Sequence, residues 1–277
     1  MNKAQQALAS KLEEHAVADR RRKPEWQMRW LMEDDGTVDL TRPPKPPRVV
    51  KLKAEHRDVK IDLAKSAVVV VDMQNDFFHD DGWFSLLGVD VSPLYKAVDP
   101  INRLLPAMRA SDTPVVWLNW GVRPDGFGLP PSLFNAHDSS EKGLIMGDMH
   151  PTRHYNILAR GTWGAAIIDE LGVGDEDICV DKVRFSGFWD TELDGVLRNL
   201  GVTTLIFAGV NIDRCVMATL EDAAHLGYDC LLVEDCTSTV HPQFGIDHCH
   251  LMIKQLLGFI TTSDELIAQV ENAEAAS

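Results

Sequence analysis

Residues 203–216 read TTLIFAGVNIDRCV. The stretch Thr203–Val210 is a continuous apolar run, as expected for a strand buried on both faces. From Ile212 the spacing turns helical and runs to Leu226, so Cys215 falls in the first turn of that helix. A strand feeding directly into a helix is one half of a βαβ unit, and the rest of the chain supplies the others.

Upstream, Ala67–Val71 (AVVVV) is a second buried strand, and residues 93–111 carry helical spacing through Leu94, Ala97, Val98, Ile101, Leu104, Leu105 and Met108. Pro114–Trp117 begins another strand. Asp177–Lys182 is a strand, Thr191–Leu200 a helix, Tyr228–Val233 a strand and Pro242–Leu257 a helix; a short strand and a helix over Asp264–Val270 follow. This alternation predicts an α/β fold: a doubly wound, mostly parallel sheet with helices on both faces, plus an N-terminal extension. The Gly/Pro-rich stretch 121–155 is too long for an ordinary connection and reads as a lid or interface segment.

Residues 1–60 differ from the rest and are read as an N-terminal arm and Pro-rich linker ahead of a domain at 61–277. The polar stretch 2–22 is expected to be helical, Trp26 and Trp30 to share a helix face, and Arg42-Pro43-Pro44-Lys45-Pro46-Pro47 to be extended. Two same-face tryptophans need a surface to pack on, either this domain or a second subunit.

With 27 Lys+Arg against 42 Asp+Glu, the formal charge of −15 argues against nucleic acid and against anionic membrane surfaces. No apolar run approaches the roughly 20 residues of a membrane span, and the first residues lack the apolar core of a secretory signal. Cys179, Cys215, Cys230, Cys236 and Cys249 form no CxxC pair, which fits free thiols in a reducing cytoplasm.

Ligands of doubly wound sheets sit at the carboxyl ends of the strands. Asp72, Lys182 and Cys215 all fall there. A cysteine in the first turn of a helix meets unpaired N–H groups and a positive dipole end, and both are expected to depress its thiol pKa. A lysine nearby adds to that effect, and an aspartate can relay a proton. Taken singly, each has a plainer reading: a core thiol, a turn cap and a strand-end charge.

The segments VVVVDMQNDF (68–77), DKVRFSGFWDT (181–191) and GVNIDRCV (209–216), in this order and spacing, resemble the isochorismatase-like cysteine hydrolases from about Ile61 to Val270. The resemblance implies a catalytic triad: Cys215 as nucleophile, Asp72 as general acid/base and Lys182 holding charge and position. It also implies a cis peptide at Val210–Asn211, with the N–H groups of Asn211 and Cys215 as candidate oxyanion donors. Within that family the segments VRFSGFWDTELDGVLRNLGV and DGWFSLLGVDVS look most similar to ureidoacrylate amidohydrolases, with the biuret-type ureide hydrolases related. Cys215 sets the chain apart from true isochorismatases, which lack the cysteine. The segment Trp117–Arg123 lacks the Asp-x-His ligands of nicotinamidases, so neither a catalytic metal nor any cofactor is expected.

The sequence therefore predicts an amidohydrolase cleaving the C–N bond of a small ureido or carbamoyl substrate, assembled as a homo-oligomer (dimer or tetramer). The alternatives are an amidase for another small carboxamide and a silent family member that binds a protein. Candidate substrate contacts are Gln74, Phe77, Asn119, Trp120, Arg123 and Phe185. The cluster His241, Asp247, His248, Cys249 and His250 has ligand-type residues, but consecutive helical positions point in different directions.

Overall fold

The computed structural model describes residues 30–41, 46–133 and 143–275. The chain divides into two compact units, Met1–Lys45 and Pro46–Ser277. The described part of the first is a small antiparallel hairpin of β1 (Leu31–Met32) and β2 (Val38–Asp39), with Trp30 exposed ahead of it. The expected helix over 2–22 and Trp26 lie outside the described residues. So does most of the Arg42–Pro47 run.

The second unit opens with a hairpin of β3 (Val49–Leu52) and β4 (Val59–Asp62). From sequence, β3 and half of β4 fall in the arm and linker. Here Val50 and Leu52 are buried and the Lys53 N–H donates to Glu265, so the hairpin joins the larger unit.

The core is a six-stranded, all-parallel sheet in the order β10-β9-β8-β5-β6-β7. Its strands are β5 (Ser66–Val71), β6 (Val115–Trp120), β7 (Ile178–Lys182), β8 (Thr204–Val210), β9 (Asp229–Ser238) and β10 (Gly258–Thr261). The central strands β5, β6 and β8 are buried at every position, which is why they read as unbroken apolar runs rather than alternating ones. The helices are α1 (Asn75–Phe78), α2 (Trp83–Leu86), α3 (Val98–Ala110), α4 (Leu193–Leu200), α5 (Met217–His225), α6 (Gln243–Met252) and α7 (Ser263–Ala275). The doubly wound α/β expectation agrees with this architecture.

Three local features differ from the sequence reading. β9 continues past Val233 to Ser238. Its pairing with β8 contains a bulge: two steps on β8, Phe207 to Gly209, face five on β9, Leu232 to Thr237. The helix expected from Ile212 begins as a widened turn, Ile212–Val216, in which the Val216 N–H reaches the Asn211 carbonyl. Such i→i+5 turns recur at functional sites. A second widened turn, Ile253–Leu257, closes the helix expected to end at Leu257.

Gly209 lies at φ 105°, and a Cβ there would sit 2.1 Å from the Val71 carbonyl. Only glycine lets β8 run this close to β5, directly below Asp72. The long stretch after β6 holds no helix of more than one turn among its described residues. Its described part gathers on Asp76, whose carboxylate accepts from the Trp83 and Leu158 N–H groups and the Tyr155 hydroxyl.

Candidate active site

Asp72 follows the last residue of β5 with φ 52°, in the left-handed region that a short polar side chain tolerates better than most. That conformation breaks the alternation of the strand. It brings Asp72 Oδ2 within 2.9 Å of Lys182 Nζ, at the end of β7 two strands away. Both side chains are buried, at 1% and 0% exposure.

Lys182 is in register with Trp120, the last residue of β6, and its Nζ lies 3.8 Å above the indole ring. A desolvated ammonium over an aromatic face gains about 2 kcal/mol. The Cys215 sulfur lies beside the Trp120 side chain and the Asp72 carboxylate. Cys215, in the widened turn after β8, is 5% exposed. Its carbonyl accepts from the Thr219 hydroxyl at 2.6 Å, and that hydroxyl accepts from the Gly187 N–H. The Val210–Asn211 peptide is cis, at the position that the resemblance implied.

The electrostatics differ from the expected depressed thiol. Burial pushes the Cys215 thiol up to about 12, the facing Asp72 carboxylate adds to the rise, and the Lys182 charge opposes both. Burial likewise holds the Asp72 carboxyl above its usual value, against the pull of Lys182 and of the Cys215 hydrogen bond. Desolvation and the neighbouring carboxylate together outweigh the ammonium. At rest the sulfur is thus a thiol, facing the Asp72 carboxyl. Moving the thiol proton to Asp72 leaves the net charge of thiol, carboxylate and ammonium unchanged, so the thiolate forms without charging a buried site.

The other sequence candidates divide. Phe185 joins the cluster, edge-on to Trp120 at 5.9 Å. Gln74 joins it from behind, with both ends of its amide bonded to backbone: Nε2 donates to the Trp120 and Ala165 carbonyls and Oε1 accepts from the Trp120 N–H. Asn119 is buried with its side-chain oxygen lacking a hydrogen-bond partner among the described residues. Phe77 packs away from the cluster, edge-on to Phe84 at 4.8 Å. Arg123 is exposed and held by Asp125 at 2.6 Å.

Sequence reasoning missed Thr219, although its place four residues after Cys215 puts it one helical turn away. Nor did it give His241 a role: the ring meets Asp213 Oδ2 at 2.5 Å. The remaining ligand-type residues of that segment scatter. His250 approaches Glu55 and Glu234, where Lys254 already pairs with Glu55 at 2.6 Å, and the Cys249 thiol points to the Ile212 carbonyl.

The profile of the isochorismatase domain matches residues 66–265, spanning every residue of this cluster. The chain belongs to the isochorismatase family.

Among relatives of this isochorismatase-family chain, ureidoacrylate amidohydrolase RutB of Rhizobium rhizogenes is 34% identical over 229 residues, covering 81% of this chain and 91% of that protein. The protein of that name from Agrobacterium fabrum is 33% identical, covering 80% and 97%. Among solved structures, a cysteine hydrolase of Pseudomonas syringae pv. phaseolicola superposes with TM-score 0.64 at 28% identity, over 83% of this chain and 99% of that one. N-carbamoylsarcosine amidase of Thermoplasma acidophilum superposes with TM-score 0.55 at 28% identity, over 73% and 98%. No helix among the described residues of this family member is long and apolar enough to cross a membrane.

Proposed function

We propose that this isochorismatase-family hydrolase is a cysteine-dependent amidohydrolase that cleaves a C–N bond of a small ureido or carbamoyl substrate of the ureidoacrylate type. The observation that carries the reading is the buried contact of Cys215, Asp72 and Lys182 at the carboxyl ends of three strands. The names of the relatives, ureidoacrylate amidohydrolase and N-carbamoylsarcosine amidase, support that substrate class.

In the proposed reaction Asp72 takes the thiol proton as the Cys215 sulfur attacks the substrate carbonyl. The N–H groups of Cys215 and Asn211 receive the oxyanion. Asp72 returns the proton to the departing nitrogen, which leaves as ammonia or an amine, and an S-acyl enzyme remains. Water then enters, gives a proton to Asp72 and attacks the acyl carbon. The C–S bond breaks, the proton goes back to sulfur, and the acid or carbamate departs. Lys182 keeps Asp72 and the sulfur in place and balances their single negative charge. Phe185 and the Asn119 carboxamide are the proposed apolar and polar substrate contacts. This chemistry requires neither metal nor cofactor. The five free cysteines suit a cytoplasmic enzyme, and the exposed Phe244 and Leu251 of α6 suit an interface between copies of the chain.

The test is ammonia release across a panel of ureides and carboxamides, with wild type and Cys215→Ala side by side. Release that vanishes in the variant supports the reaction, and the best substrate separates ureide from carboxamide. Release that survives in the variant overturns the nucleophile. A folded wild type inert on the whole panel favours the silent, protein-binding reading.

A further inference from the structure

The bulge in β9 carries the β8–β9 pairing past its last backbone pair. Val210 is in register with Ser238, and the next residues, Asn211 and Thr239, meet through their side chains. The Asn211 side-chain oxygen accepts from the Val240 N–H at 3.2 Å and lies 3.2 Å from the Thr239 hydroxyl. That hydroxyl also lies 2.6 Å from Asp213 Oδ1, and its oxygen accepts from the His241 N–H at 3.2 Å. The second Asp213 oxygen meets His241 Nδ1. Asn211 and Thr239 are 4% and 3% exposed while Asp213 and His241 are half-buried, so the Asn211–Thr239 contact lies away from bulk water, where loosening a polar contact is costly.

One hydroxyl, delivered by β9, thus stands between the side chains of Asn211 and Asp213. These two residues flank Ile212, the first residue of the turn that carries Cys215. The hydroxyl has a single proton, shared between the Asn211 oxygen at 3.2 Å and the Asp213 oxygen at 2.6 Å. Asp213 is itself anchored by His241, so the hydroxyl is held in one orientation against Asn211. Nothing in the network reaches the sulfur, Asp72 or Lys182. What it holds is the residue whose N–H stands ready for the oxyanion.

We propose that Thr239, backed by Asp213 and His241, is a positioning residue that aims the Asn211 N–H at the oxyanion. The proposal rests on the amidohydrolase reading above. Oxyanion donors act only when aimed at the place the oxygen will occupy, so a small rotation of Asn211 costs rate and not substrate binding.

Thr239→Val keeps the shape and removes the hydroxyl; Thr239→Ser restores it. Both are compared with wild type and Cys215→Ala in the full chain. Two readouts are taken: steady-state ammonia release on the best panel substrate, and the rate of Cys215 alkylation by iodoacetamide, followed on the Cys215 peptide by mass spectrometry. Alkylation displaces iodide from a saturated carbon and forms no oxyanion, whereas attack on an amide does. Thr239→Val is expected to lower kcat about 10- to 100-fold, with KM and the alkylation rate within about twofold of wild type, and Thr239→Ser to recover most of the loss. An unchanged kcat in Thr239→Val overturns the proposal. So does alkylation that falls in step with kcat, or a serine variant as slow as the valine one. If Thr239→Val does not fold, Asp213→Asn gives the same readouts, with a smaller kcat loss expected and an unchanged kcat overturning the proposal. An inert wild type overturns the amidohydrolase reading and this proposal together. An active wild type, an inert Cys215→Ala and a fully active Thr239→Val overturn this proposal alone.

Discussion

Gln74 holds Trp120 by both of its backbone groups: its amide oxygen accepts from the Trp120 N–H and its amide nitrogen donates to the Trp120 carbonyl, each at 2.8 Å. A third bond, to the Ala165 carbonyl at 2.7 Å, ties the pair to the loop behind. Gln74→Leu leaves these buried backbone groups without partners, at about 1–3 kcal/mol each. Its unfolding free energy is expected to fall by about 3 kcal/mol or more in urea denaturation, and kcat to drop because the Trp120 ring lies against the Lys182 ammonium. A loss below about 1 kcal/mol shows that the grip contributes little.

Trp120 presents its face to the ammonium and lies beside the sulfur, whose ionised form it favours. Trp120→Phe keeps a ring and removes the N–H. Without that N–H, Cys215 alkylation at a fixed pH is expected to slow about tenfold, the scale of one hydrogen bond. Alkylation as fast as in wild type assigns Trp120 to the substrate alone.

In the proposed reaction Cys215, Asp72 and Lys182 act as one unit, so their losses are not additive. Cys215→Ala and Asp72→Asn are each expected to lower kcat by roughly 10⁴-fold or more, with the double variant scarcely worse. Ammonia release by the single and double variants measures this. Losses that multiply in the double variant place Asp72 outside the reaction.

Attack requires Asp72 ionised to accept the thiol proton. Burial holds its carboxyl above the usual carboxylate range, so protonation blocks the reaction as pH falls through that raised value. The acid limb of kcat/KM for an uncharged substrate is therefore expected above that usual range. The Cys215 thiol, at about 12, adds no limb in the neutral range. A rate that holds level down to the ordinary carboxylate range contradicts the burial of an ionisable Asp72.

The parallel sheet was legible because β5 and β8 are buried on both faces, and such strands write themselves as runs like AVVVV and TLIFAGV. The end of β9 was not, because Glu234-Asp235-Cys236-Thr237 is polar and half-buried around a bulge. The widened turn at Ile212–Val216 was hidden for another reason: five residues are too few to separate its period from that of an α-helix. Order and spacing picked out Asp72, Lys182 and Cys215 as candidates, and the fold brings these three side chains together. The thiol's raised pKa was out of reach, since it depends on how much protein covers the sulfur and on the carboxylate that the fold sets against it. Gln74 shows the same limit. Its residue type suits a substrate contact, and only the neighbouring backbone reveals that its amide is already taken.

The complete burial of Lys182 and Asp72 separates two kinds of electrostatics. Mobile ions screen charges that face solvent, over about 8 Å at physiological ionic strength, and scarcely reach a pair sealed in the interior. The bond-breaking step is thus indifferent to dissolved salt. The approach of substrate is not, because it crosses the field of a chain with net charge −15. For an anionic ureido acid, kcat/KM is expected to rise from dilute buffer to 0.5 M NaCl while kcat stays level. For a neutral carboxamide both stay level. Added salt therefore serves as a gauge of the charge on the molecule this enzyme was built to receive.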